Sequence, residues 1–136
     1  MLVIETVLTV TNTLHWILDS GASSHICNSL QDLVSKQKLK KGDVSLRMGN
    51  GAIAAATAKG NLPLVLPFGH ILVLKNCLYI PVVPRNVILI SSLCKEGMYC
   101  SFNKDKCAIY NEKSILLCTG FMQNGLYILN IDLKCN

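Results

Sequence analysis

Aromatic residues are scarce in this sequence: one Trp, four Tyr and three Phe among 136 residues. So few rings argue against a base-stacking surface. Charge is sparse too, at 15% of residues, and 13 basic against 8 acidic side chains leave only +5. That balance is too weak to mark a nucleic-acid binder. No apolar run reaches the roughly 18 clean residues of a membrane-crossing helix. The longest, Leu62–Leu74, is broken by Pro63, Pro67, Gly69 and His70. Residues 1–10 lack a basic region and carry Glu5, unlike a signal peptide. There is no Asn-x-Ser/Thr acceptor, internal repeat or low-complexity segment. What remains is a chain with 51% hydrophobic residues, long enough for one core-forming domain.

The seven cysteines are Cys27, Cys77, Cys94, Cys100, Cys107, Cys118 and Cys135. Their number is odd, their spacing irregular, and no C-x-x-C occurs, so reduced thiols in a cytosol-like compartment are expected. His25 and Cys27 form a close pair, but no second pair stands at zinc-ligand spacing, so no metal is expected.

Short runs with β-branched residues dominate the chain. Val3–Thr11, Leu14–Leu18, Val44–Met48, Leu62–Leu66, Ile71–Leu74, Cys77–Ile80, Met98–Phe102, Cys107–Tyr110, Ile115–Cys118 and Leu126–Ile131 read as strands. Turn residues punctuate them about every ten positions, the signal of an all-β barrel or sandwich. Two segments read as helix. Ser29 and Asp32 form a box-like start for a piece running to about Leu39. Asn86–Glu96 places Val87, Ile90, Leu93 and Cys94 on one face and stops at Gly97, although its Val and Ile suit a strand equally. Lys36, Lys38, Lys40 and Lys41 read as a solvated loop or helix end rather than a phosphate site.

The sharpest chemical signal is Trp16-Ile17-Leu18-Asp19-Ser20-Gly21-Ala22. An apolar strand runs into a carboxylate, a hydroxyl and a glycine. In an aspartic protease such a strand delivers Asp19 to a cleft floor. Gly21 then allows close approach of a substrate backbone, Ser20 can bond to an opposing loop, and Ala22 keeps the wall low. Asp, Ser and Gly also make ordinary turns.

Several motifs in order tip the balance. W-I-L-D-S-G-A-S-S-H-I-C (Trp16–Cys27), V-S-L-R-M-G-N-G (Val44–Gly51), Gly69-His70, Val73–Pro81 and Pro84-Arg85-Asn86 through Leu93 with Gly97 resemble the protease segment of copia-type long-terminal-repeat retrotransposon polyproteins, of the retroviral aspartic protease family. The resemblance implies a closed, retropepsin-like all-β barrel with one short C-terminal helix near Asn86–Glu96. It implies a protease domain over 1–102 and, over 103–136, a β extension similar to the stretch before integrase. Asp19 is then the catalytic residue and Ser20, Gly21 and Ala22 its loop. Met48, Gly49, Asn50 and Gly51 open a flap, and Arg85 and Asn86 are structural residues near the site. The family's two acidic residues after the active-site Ala are Ser23 and Ser24 here, which puts the partner of Arg85 in doubt.

This chemistry needs two carboxylates that share one proton and activate a water. The chain has one Asp-Ser/Thr-Gly, so the second Asp19 must come from a second copy. The implied activity is an aspartic endopeptidase cleaving a retrotransposon polyprotein as a homodimer, without cofactor, in a cytoplasmic particle. Its partners are itself and an extended peptide or polyprotein; neither a membrane nor nucleic acid is expected. The alternative is an inactive, retroelement-derived dimerisation or peptide-binding module with the same fold. A third reading, a dinucleotide fingerprint at Gly49-Asn50-Gly51-Ala52-Ile53-Ala54, fails because no acidic residue lies between Val44 and Glu96 to hold a ribose.

Overall fold

Alternation of apolar and polar residues governs most of the chain. Ala58, Gly60, Leu62 and Leu64 point inward from one strand while Lys59, Asn61, Pro63 and Val65 point outward. A computed structural model describes residues 3–4, 15–21, 24–48 and 51–131. Its strands are β1 (Val3–Ile4), β2 (Trp16–Asp19), β3 (Ile26–Cys27), β4 (Val34–Lys38), β5 (Ser45–Met48), β6 (Ile53–Ala55), β7 (Ala58–Val65), β8 (Ile71–Tyr79) and β9 (Asn86–Leu89). The helix α1 (Ile90–Lys95) follows, then β10 (Tyr99–Phe102), β11 (Lys106–Tyr110), β12 (Leu116–Gln123) and β13 (Leu126–Leu129). None of these is a helix long and apolar enough to cross a membrane.

The fold is thus all-β with one short helix, but the expected closed barrel is not formed. Ten strands run in the order β10-β11-β12-β13-β2-β9-β3-β8-β7-β4, with β10 and β4 left as edges. A separate sheet has the order β1-β5-β6. Backbone bonds of 3.0 Å from Ala56 to Val44 and from Leu39 to Thr57 extend the β5–β6 and β4–β7 ladders by one rung each. The sheet continues through residue 102, because β13 pairs with β2.

One helical expectation is corrected, and the other, which left strand and helix open, is divided between the two. Ser29–Leu39 makes one turn, with the Leu33 amide bonded to the Leu30 carbonyl, and then becomes β4. Pairing with β7 overrides the local signal here. Gly60 permits that approach, since a Cβ there would lie 2.6 Å from the Val34 carbonyl oxygen. Asn86–Glu96 divides into β9 and a six-residue helix. All four β9 residues are buried, as befits a strand covered on both faces. Gly97, at φ +91, ends the helix as its sequence suggests.

The core has two parts, one on each side of β2. Trp16 and Leu18 enter a cluster with Leu74, Ile88, Leu93, Ile109 and Leu129. Ile17 enters the other, with Ile26, Leu46, Ala54, Ile80 and Val87. Cys27, Cys77, Cys107 and Cys118 are buried. Burial pushes the Cys107 and Cys118 thiols up to about 11, so they stay protonated.

Candidate active site

Asp19 ends the strand that lies between the two cores. β2 runs parallel to β9, with Trp16 opposite Asn86 and Asp19 opposite Leu89, and its other edge is taken by β13. A carboxylate on a strand held at both edges and packed on both faces has little freedom to drift. Asp19 itself is half-buried, and its Oδ1 accepts a 2.7 Å bond from the Gly21 amide. A Cβ on Gly21 would stand 3.4 Å from that oxygen. Ser20 and Gly21 are exposed. Ala22 lies outside the described residues, as does Ser23.

Strand alternation puts Asp19 on the same face as Ile17. The β5–β6 hairpin covers that face through Leu46 and Ala54, which pack in one cluster with Ile17. The hairpin is the segment expected as a flap. Met48 ends its first strand and Gly51 sits at φ +89, a conformation strained for other residues. Gly49 and Asn50 lie outside the described residues. Ala54 and Ala56 are buried in the second cluster, so these small residues let the hairpin seat on its own core.

Arg85 and Asn86 are buried, at 4% and 5% exposure. Burial lowers the Arg85 pKa. The Asn86 side-chain oxygen accepts from the Asn28 amide at 2.9 Å, and the Asn86 amide donates to the His15 carbonyl at 3.2 Å. Asn28 in turn donates from Nδ2 to the Val83 carbonyl at 3.3 Å. Asn86 therefore clamps the chain after β3 to the start of β9 and to the entry of β2.

His25 completes the support. It is 2% exposed, and its Nδ1 accepts the Leu89 amide at 2.9 Å. Leu89 stands directly opposite Asp19. An accepting Nδ1 leaves the proton on Nε2, which has no hydrogen-bond partner among the described residues. Burial lowers the His25 pKa to about 4, with Glu96 pulling weakly the other way. The imidazole is therefore a neutral acceptor that holds the end of β9.

The structure brings Asp19, Ser20 and Gly21 to one strand end and buries His25 beside it against Leu89, while Arg85 and Asn86 are buried at the other end of the strand pair, where Asn86 stands opposite Trp16. Sequence reasoning missed Asn28 and the β13 strand as supports of this region. Gly120 was the available signal for the second: a lone glycine in a strand pattern marks close backbone approach. A Cβ at Gly120 would lie 2.6 Å from both Cys107 Sγ and the Ile128 carbonyl oxygen. Among the described residues, no group of three His, Cys, Asp or Glu side chains could hold a metal.

No curated protein and no solved structure matches the chain. A family model described as "Pol polyprotein, beta-barrel domain" matches residues 16–98, from the first residue of β2 to the residue before β10. The chain belongs to this family of Pol polyprotein β-barrel domains.

Proposed function

We propose that this Pol polyprotein region is an aspartic endopeptidase of the retroviral type, from a copia-like element, cleaving extended segments of its polyprotein. One observation carries the reading. Asp19 closes a strand buried on both faces, on the side of the sheet that the β5–β6 hairpin covers. That arrangement offers a fixed carboxylate beneath a segment able to fold over an extended peptide. Two copies, each giving one Asp19, supply the pair that shares a proton. One carboxylate takes a proton from water while the other donates to the scissile carbonyl oxygen. Two carboxylates this close do not both ionise, so the pair works with one shared proton. The rate is then bell-shaped on the acid side of neutral.

The test is cleavage of polyprotein-derived peptides by purified protein across pH, beside Asp19→Asn. The expected result is acid-side cleavage that falls more than ~1000-fold in Asp19→Asn, in line with loss of an essential catalytic group. Equal rates in the two proteins contradict the reading.

A further inference from the structure

The loop that carries Asp19 begins and ends on one residue. Asp19 lies opposite Leu89, where β2 runs beside β9. The chain returns to the same place at His25, whose Nδ1 accepts the Leu89 amide at 2.9 Å. Leu89 is a firm post: it is buried in one cluster with Ile17, Ile26 and Val87, and it joins β9 directly to α1. The imidazole stands in for a missing backbone rung. β3 pairs antiparallel with β9 at Ile26 and Val87. One rung further would set Ser24 opposite Leu89, but Ser24 is already a bend leading back into the loop. The Leu89 amide is left for a side chain to answer. His25 is well held for that task, since its own carbonyl accepts the Leu78 amide from β8 at 2.9 Å and the residue is 2% exposed.

We propose that His25 is a positioning residue for Asp19: a latch that closes the 19–25 loop on Leu89 and so fixes where the carboxylate points. The inference rests on the endopeptidase reading above and adds a residue to its site. β2 fixes the Asp19 backbone, but the loop sets the direction of the side chain, because Oδ1 accepts the Gly21 amide at 2.7 Å. When the far end of the loop is released, that amide moves and the carboxylate turns with it. Two carboxylates that share one proton across two copies tolerate little rotation, and a misplacement on the order of 1 Å costs about 100-fold in rate. His25 touches neither the water nor the peptide; it acts through Leu89 and the loop. What the latch needs is an acceptor at the Nδ1 position. An Asn there places its carbonyl oxygen near Nδ1, whereas a Gln carries its polar end out toward the position of Nε2.

The experiment measures kcat and KM for peptide cleavage by the full-length wild type, His25→Asn and His25→Gln, with backbone amides followed by NMR on the same proteins. The expected result is a kcat about 100-fold lower in His25→Gln with KM little changed, and recovery of most of that loss in His25→Asn. The Leu89 amide should exchange slowly in the wild type and His25→Asn and faster in His25→Gln, while that of Ile109, buried in the other cluster, stays slow in all three. The Gly21 amide signal should move in His25→Gln. Equal kcat in the two variants, a loss confined to KM, or a Leu89 amide as protected in His25→Gln as in the wild type overturns the proposal. If His25→Gln does not fold, nitrogen NMR of the wild-type ring decides: an unprotonated Nδ1 supports the latch, and a protonated Nδ1 overturns it. A wild type that cleaves no peptide removes the endopeptidase reading instead, and with it the catalytic role of the latch, while Leu89 exchange still reports whether the loop is closed.

Discussion

Two parts of one sheet hold themselves together in opposite ways. Around Asp19, polar side chains turn inward and bond to backbone. His25 holds the Leu89 amide, and Asn86 holds the amide of Asn28. In β10–β13 the rings of Tyr99 and Phe121 face outward, and close backbone approach at Gly120 holds the strands. Buried polar bonds fix one geometry and are costly to break. Packing under a glycine leaves the outer face free to carry other residues. The first suits the role proposed for Asp19, and the second leaves a surface open.

The largest expected effect breaks the C-terminal part. Gly120→Ala forces a Cβ to within 2.6 Å of both Cys107 Sγ and the Ile128 carbonyl oxygen. Strand β12 must shift, at a cost of roughly 3 kcal/mol, the upper range for overpacking. Chemical denaturation measures it. Because β13 continues the sheet into β2, a single transition is expected, with the Trp16 signal lost together with the rest. Two transitions would show that the two parts fold separately.

His25 sharpens the other side. Its neutral form is favoured in the fold, where its pKa is about 4 against 6.5 for the free side chain. As pH falls from 6.5 toward 4, the unfolded chain takes up a proton that the folded chain refuses. Stability therefore falls through this window, by an amount on the order of 3 kcal/mol when complete. His25→Asn keeps an acceptor near the Nδ1 position and does not titrate. Denaturation midpoints of this variant should vary less between pH 7 and pH 4 than those of the wild type. Equal pH dependence would remove His25 as the cause.

The smallest of the three is Asn86→Ala. It strips the acceptor from the Asn28 amide in a buried setting and should cost about 2 kcal/mol. Peptide cleavage should fall as well, because the start of β9 is released. A variant with unchanged stability would show that the clamp is incidental.

Local pattern made parts of this legible. β5 and β11 alternate cleanly, and the Asp19 strand with its loop stands out by residue type. Gly97 marks the end of α1. What stayed hidden depends on partners far along the chain. Asn86–Leu89 suits helix and strand equally until it lies beside β2, and Val34–Lys38 scans as helix until it lies beside β7. Whether the barrel closes is decided by edges that no local pattern encodes. His25 could be recognised as a polar residue in an apolar setting, but its bond spans 64 residues of sequence. The rings of β10–β13 sort into two faces only once the register is set, Tyr99, Tyr110 and Phe121 on one and Phe102 and Tyr127 on the other.

The proposed active unit contains two Asp19 carboxylates. The direct measurement is wild-type peptide cleavage while Asp19→Asn protein is added in rising excess. Mixed pairs carry one carboxylate and cannot share a proton across the site, so the wild-type rate should fall toward zero as they form. A wild-type rate that stays constant through a large excess of folded Asp19→Asn would contradict the account.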